Sequence, residues 1–275
     1  MRTNNAAMVW CIGLAVCCWV PDAQAQSTKS TNQLQRPGPA FEITPEVDIP
    51  VIALSATIAS AWLLNPVLAP PYCAPLCDEQ DVFVLDRPVA GRWDSNWSLA
   101  GDIGVATVLL GSVGTLVIDE GLKNGLNDTV IVAESVLVSN MLSTLTGLAV
   151  RRPRPYAYGT EASSSRRTEG EASLSFYSGH TANAFAAVLS TFQALHRLHP
   201  RTATPWVFLG VGLAAASFVG MSRVLAGQHF PTDVIAGALV GSSVGILVPA
   251  LHSPTSTVQA QLASDRIVLF YTTRL

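Results

Sequence analysis

Three polar islands interrupt an otherwise apolar chain, and between them they hold the side chains that phosphoryl transfer needs. Arg151-Arg152-Pro153-Arg154-Pro155 closes one apolar segment, and Ser178-Gly179-His180 opens the next. Ser222-Arg223 and His229-Phe230-Pro231-Thr232-Asp233 join the last two. Arg154 and Arg223 offer planar forks to equatorial phosphate oxygens and offset the charge of a transition state. Ser178 and Gly179 add a hydroxyl and backbone N–H groups where a helix begins, a natural anion site. His229 lies just before Pro231, a residue favoured in a first helical turn, and Asp233 stands four residues beyond it. At that spacing Asp233 can hold the imidazole Nδ1–H and leave Nε2 free as a nucleophile. His180 is then the group to protonate a leaving oxygen and later activate water. His196, His199 and His252 fall at helix ends without Arg or Asp partners nearby in sequence, and read as surface residues.

These islands must be brought together by the apolar segments between them. Six such segments run from about Pro50 to Leu68, Ile103 to Ile118, Thr129 to Val150, Thr181 to Leu195, Trp206 to Met221 and Val234 to Leu251. Each exceeds strand length and is rich in Ala, Leu and Gly, so each predicts a helix. The expected fold is all-α, a bundle of about six helices. In an antiparallel bundle the ends of the third and fifth helices meet the starts of the fourth and sixth. All three polar islands then share one end. Gly237, Gly241 and Gly245 form a small-residue ridge on the sixth helix, and small residues also fill the second and fifth. Such ridges suit close helix packing in lipid, and the bundle is expected to be membrane-embedded.

Composition supports this picture. The 275 residues are 49% hydrophobic and only 13% charged, about half the charge of an average soluble domain. Disorder is excluded on hydrophobicity, and a net charge of −3 excludes a nucleic-acid binder of the usual basic kind. The cations are 14 Arg and two Lys, with five of the arginines between Arg151 and Arg167. Met1–Ala25 has the layout of a secretory signal peptide: Arg2, an apolar run over Ala6–Val20, and Ala23-Gln24-Ala25 as a small-x-small cleavage site. Residues 26–46 are polar and Pro-containing and predict a mobile tether. Residues 47–254 form the helical domain, with its motif core at 102–251, and the tail 255–275 alternates weakly enough to suggest a short hairpin. Cys73 and Cys77, in a Pro-rich loop of an exported chain, predict a local disulfide.

Ser222-Arg223-x5-His229-x3-Asp233 resembles the third signature of the type 2 phosphatidic acid phosphatase superfamily, which includes bacterial acid phosphatases and vanadium haloperoxidases. Ser178-Gly179-His180 is similar to the second signature and Arg154-Pro155 to the end of the first, so the likeness covers about Asp102 to Leu251. The resemblance implies a helical bundle and a phosphohistidine intermediate with no metal or other cofactor. By motif position it makes His229 the nucleophile, Asp233 its orienter and His180 the acid/base. Arg154, Ser178, Gly179 and Arg223 become phosphate ligands. Two positions depart from the pattern. Gly147 stands where the family has Lys, and Tyr177 where it usually has Pro. Arg151, one turn after Gly147 on the same helical face, is expected to replace the missing cation in part.

The function expected is hydrolysis of a phosphomonoester or pyrophosphate, foremost of a lipid phosphate in the adjacent leaflet, with the membrane as the implied partner and no protein partner. A soluble periplasmic acid phosphatase, a vanadium-dependent haloperoxidase and a non-catalytic membrane protein stand as alternatives. Parity ties location to the first helix. With a cleaved signal and six spans the site is cytoplasmic, whereas five spans, with 50–68 lying on the surface, put it in the periplasm. An exported chain in the inner membrane with a periplasm-facing site is the expectation taken forward.

Overall fold

The computed structural model describes residues 38–253 except 72, 74 and 75, together with the backbone of two strands over 256–263 and 266–273. The expected signal peptide and the first part of the tether lie outside the described residues. Of the expected tether 26–46, residues 38–44 are packed and bonded, and Pro45 and Glu46 already belong to the first helix. The backbone N–H groups of Ala40 and Phe41 donate to the buried Asp128 carboxylate at 2.7 and 3.1 Å, and Phe41 is buried. An apolar ring seated on a helix and two bonds to a charged acceptor outweigh the polar composition that suggested mobility.

Helix α1 runs over Pro45–Ala59 and continues through a 3₁₀ turn into the short α2, Asn65–Leu68. Helix α3, Ser95–Val150, combines the second and third expected helices. It breaks at Gly121, whose φ of 79° and ψ of 169° only glycine adopts freely. The chain doubles back there, because a Cβ on Gly125 would lie 2.5 Å from the Leu116 carbonyl oxygen. Asp94 starts this helix by accepting from the N–H groups of Asn96 and Trp97. A short α4, Ser164–Thr168, sits in the loop that follows. Helices α5 (Gly179–Leu198), α6 (Thr204–Leu225) and α7 (Pro231–Leu251) complete the bundle. The tail forms the expected hairpin, with β1 (Ser256–Ala263) antiparallel to β2 (Arg266–Thr273).

Helix α5 is the centre of the bundle. Its Ala182, Ala184, Ala186, Ala187 and Ala194 are fully buried. The glycine ridge of α7 lies directly on it. A Cβ on Gly237, Gly241 or Gly245 would come within 2.6, 2.1 and 2.6 Å of the carbonyl oxygens of Ser178, Ala182 and Ala186. No side chain fits between these backbones, which fixes the register of α7 and so the position of the loop that precedes it. Outward, the bundle is apolar: Leu110, Ile118, Val211, Leu239 and Leu247 are all exposed. Three helical stretches, Ser95–Tyr158, Thr204–Leu225 and Pro231–Leu251, are long and apolar enough to cross a membrane, with 17–28% of their most apolar windows buried inside the protein. An apolar surface of this kind is made for lipid. The protein is a membrane-embedded helical bundle.

Candidate active site

The ends of α3 and α6 and the starts of α5 and α7 meet at one end of the bundle, as the helix order predicts. The pocket there is lined by Arg154, Gly179, His180 and His229 among others. His229 sits in the turn between α6 and α7, almost fully buried. Its Nδ1 lies 2.7 Å from the Ser175 carbonyl oxygen. A carbonyl can only accept, so Nδ1 carries the proton and Nε2 keeps its lone pair. Burial, with the charges of Arg154 and Arg223 beside it, holds this imidazole well below its ordinary range. The ring is therefore neutral at physiological pH, with the Nε2 lone pair unprotonated.

Asp233 makes no hydrogen bond to His229. Its carboxylate accepts from Arg152 at 2.5 Å on one oxygen, and from Ser175 Oγ at 2.5 Å and the Phe230 N–H at 2.9 Å on the other. The expected direct Asp233–His229 bond is replaced by a relay through one residue. Asp233 fixes the Ser175 hydroxyl, and the carbonyl of that same Ser175 fixes the imidazole. The reason is local: Pro231 starts α7, and Asp233 turns back to cap it at Phe230, away from the ring. Behind Asp233 lies Asp86, fully buried, which binds Arg152 at 2.7 Å and the Thr232 hydroxyl at 2.6 Å. Arg152 also stacks over the Phe230 ring, 4.2 Å from its centroid.

The two arginines expected to bind phosphate are held differently, and only Arg154 lines the pocket. Arg223 is buried and donates to the Ser98 carbonyl at 3.1 Å and to Asp102 at 2.8 Å. Gly101 makes this approach feasible, since a Cβ there would lie 2.8 Å from the Arg223 Cδ. Arg154 bonds the Gln228 amide oxygen and stands 3.9 Å from the half-exposed Glu171. The Nε of each guanidinium is buried without a hydrogen-bond partner. Such orphaned donors are costly unless a ligand supplies the acceptor. His180, at the first turn of α5, places Nε2 3.0 Å from the same Asp102 oxygen that Arg223 holds. Ser178 is fully buried and caps α5, its Oγ accepting from Thr181 Oγ1 at 2.9 Å. It lies behind the pocket wall, where Gly179 is exposed to the cavity.

Arg151 does not take the place of the missing Lys. It ends α3 in the left-handed region, at φ 52° and ψ 40°, and this turns its guanidinium to the Pro70 carbonyl at 2.6 Å. Gly147 lines the pocket, and a Cβ there would meet only ordinary contacts at 3.6–3.9 Å. The neighbouring wall is neutral: Asn140, Ser143 and Thr144. Tyr177, the other departure, follows a cis peptide bond and donates its hydroxyl to the Ser139 carbonyl at 3.3 Å. Cys73 and Cys77 are joined as a disulfide. Arg166 stacks over Trp93, and Arg167 donates to the Gly159 carbonyl, so both brace the loop above the site. Sequence reasoning gave no role to Asp86, Arg152, Ser175, Asp102 or Gln228. Asp102 alone left a signal, as an acid opening an apolar segment.

The sequence model of the PAP2 superfamily matches residues 128–255. Residues 128–255 contain the stretches that resemble the three signatures, from Arg154 through His180 to Asp233, and every residue lining the pocket except Ala59 of α1 and Asn65 of α2. The chain is 41% identical over 81 residues to the lipid A 1-phosphatase of Porphyromonas gingivalis, covering 30% of this chain and 17% of that protein. It is 32% identical over 123 residues to the lipid A 1-phosphatase of Rhizobium etli, covering 43% and 48%. It is also 34% identical over 90 residues to glucose-6-phosphatase 3 of Mus musculus, covering 31% and 25%. The chain thus spans under half the length of each of these relatives. A transmembrane PAP2 type phosphatidylglycerolphosphate phosphatase from Bacillus subtilis superposes with a TM-score of 0.44 at 17% identity, over 73% of this chain and 93% of that one.

Proposed function

We propose that the protein is a membrane phosphatase that hydrolyses a lipid phosphate through a phosphohistidine on His229. One observation carries the reading. A buried neutral imidazole, with Nδ1 tied to a carbonyl, shares a pocket with a second histidine and with Arg154, while the charge of Arg223 acts on it from behind the pocket wall, and both arginines keep a buried Nε unpartnered. The match of residues 128–255 to the PAP2 superfamily model supports it. Nε2 of His229 attacks phosphorus and the bond to the leaving oxygen breaks. Arg154, Arg223 and the Gly179 N–H hold the equatorial oxygens. His180 gives its proton to the leaving oxygen, exchanging Asp102 for that partner as the substrate enters. It then takes a proton from water, which attacks the phosphohistidine and frees His229. Asp233, through Ser175, positions His229, and Arg152 and Asp86 hold Asp233 in turn.

The outward apolar surface favours a lipid over a soluble phosphoester, and similarity to lipid A 1-phosphatases makes a saccharolipid phosphate the first substrate to try. Phosphate release from lipid A, phosphatidic acid, phosphatidylglycerol phosphate and p-nitrophenyl phosphate tests the reading, with His229→Ala as the control. Activity confined to lipid substrates and lost in the variant is expected. Activity that survives His229→Ala overturns the mechanism.

The pocket faces the periplasm in this reading. Asp48 at the start of α1 meets the end of α7, whereas Ala59 and Asn65 line the pocket, so α1 and α2 reach from one end of the bundle to the other. A periplasmic pocket then places residues 38–44 on the cytoplasmic side, which is incompatible with their export by a signal over 1–25. The orientation is tested with Ser165→Cys near the pocket and Arg201→Cys at the far end. In intact cells an impermeant thiol reagent labels the first and spares the second; the reverse pattern puts the pocket in the cytoplasm.

A further inference from the structure

At the end of the bundle away from the pocket, α1, the second arm of α3 and the end of α7 bring together Asp48, Glu134 and His252. Their ligand-type atoms all lie within 4.8 Å of one another. His252 Nε2 is 2.9 Å from Asp48 Oδ1 and 3.7 Å from Glu134 Oε2. Asp48 and Glu134 are 1% and 4% exposed, so water does not solvate these carboxylates. We propose that these three residues form a binding site for one divalent metal ion of the zinc type, distinct from the metal-free pocket chemistry derived above.

The count of donors and acceptors leads to this ion. His252 Nδ1 lies 2.8 Å from the Val248 carbonyl oxygen and therefore carries a proton. In a neutral ring, Nε2 then directs a lone pair at two carboxylates, which repels. A proton on Nε2 satisfies Asp48, but leaves Glu134 Oε2, which is buried and has no hydrogen-bond partner. A metal ion accepts one lone pair from each of the three atoms and leaves none orphaned. Ligand atoms around a tetrahedral zinc with bonds of about 2.0–2.1 Å stand about 3.3 Å apart, between the two separations found here. The supports that such sites use are also present. The Val248 carbonyl holds the imidazole in the tautomer that frees Nε2, and the Thr44 N–H donates to the other Asp48 oxygen at 2.7 Å. One imidazole with two carboxylates suits zinc better than magnesium or calcium, which prefer all-oxygen shells.

The site clips α1 to the core. Helix α7 is 21 residues long, which separates this site from the pocket by about 30 Å. Its role is structural, and turnover does not pass through it. The full chain, purified in detergent without chelator, is analysed for metal by mass spectrometry. About one zinc per chain is expected, with metal affinity lowered at least about 100-fold in Glu134→Gln and in Asp48→Asn. A chelator lowers the Tm of the wild type and leaves that of the variants unchanged, while phosphate release by metal-loaded wild type and by Glu134→Gln stays the same. Should a variant fail to fold, the wild type suffices: Co²⁺ added to chelator-treated protein gives the visible absorption of a four-coordinate site. Absence of stoichiometric metal, of the Co²⁺ spectrum and of any Tm response to zinc overturns the proposal and leaves the cluster held by protons alone.

Discussion

The two ends of this bundle are chemical opposites. At the pocket end the charged buried orphans are donors, among them the Nε atoms of Arg154 and Arg223, beside a neutral acceptor, Asn65 Oδ1. At the far end the Asp48–Glu134–His252 cluster is left with an acceptor, Glu134 Oε2. Both ends bury histidines, yet the histidines differ in their partners. His229 has a carbonyl on Nδ1 and two guanidiniums nearby, and stays neutral. His252 has a carbonyl on Nδ1 and carboxylates on Nε2; there burial alone would lower its basicity, but the Val248 carbonyl, Asp48 and Glu134 outweigh it and raise it. The same side chain in the same bundle is thus set for attack on an anion at one end and for cation binding at the other. The difference lies in what surrounds Nε2.

The sharpest way to break this contrast is to remove the pocket's neutral imidazole. His229→Ala is expected to lower kcat/KM for lipid phosphate on the order of 10⁴-fold or more, with Tm little changed. Removing an orphaned donor comes next. Arg154→Ala or Arg223→Ala is expected to cost about 10²–10³-fold in kcat. Equal losses from His252→Ala would erase the contrast between the ends. The relay behind His229 gives a stability effect rather than a direct catalytic one. Asp86→Asn leaves the partly buried Arg152 with one carboxylate in place of two and the buried Asp86 site without its charge, and unfolding free energy is expected to fall by about 3 kcal/mol, read as a drop in Tm.

The pH profile sharpens the contrast further. His229 must be neutral to attack, and its depressed value keeps it neutral as the pH falls through the ordinary imidazole range. The acid limb of kcat/KM attributable to it therefore lies below about pH 6.5; an acid limb at or above that pH that disappears in no other variant would contradict the assignment. The smallest effects concern the missing cation. Gly147→Lys has room at Cβ and adds an ammonium to a neutral wall, so KM is expected to fall severalfold, whereas Arg151→Ala is expected to change kcat/KM by less than about twofold, since its guanidinium already serves Pro70.

What the sequence made legible follows from how far each signal extends. Helix periodicity and the glycine ridge are local, and the helices and the α7–α5 contact match them. The convergence of the three islands follows from helix order alone. The sequence separates Ile103–Ile118 from Thr129–Val150 at the polar stretch 119–128, and the chain does double back there, at Gly121; that helix continues on both sides right up to this one glycine leaves no signal in hydropathy. The relay was also out of reach. Spacing places Asp233 one turn from His229, but the cap on Phe230 turns its carboxylate toward Ser175, and Asp86 arrives from a loop with no periodicity. Arg151 was misread for a comparable reason: helical geometry was carried one residue too far, into a position that is left-handed. The far-end histidines were read as surface residues for want of neighbours in sequence. His252 is bound by Asp48 and His199 by Asp119 at 2.7 Å, partners more than 75 residues away in the chain, while His196 packs against Phe192 and Trp206.

The central claim is that Nε2 of His229 becomes covalently phosphorylated. It is tested most directly by acid-sparing rapid quench of the purified wild-type protein during its first turnovers with ³²P-labelled lipid phosphate. The account predicts an alkali-stable, acid-labile phosphoprotein whose label maps to the peptide containing His229 and is absent in His229→Ala. Label on any other residue, or phosphate release at the wild-type rate with no labelled protein at any time, would contradict it.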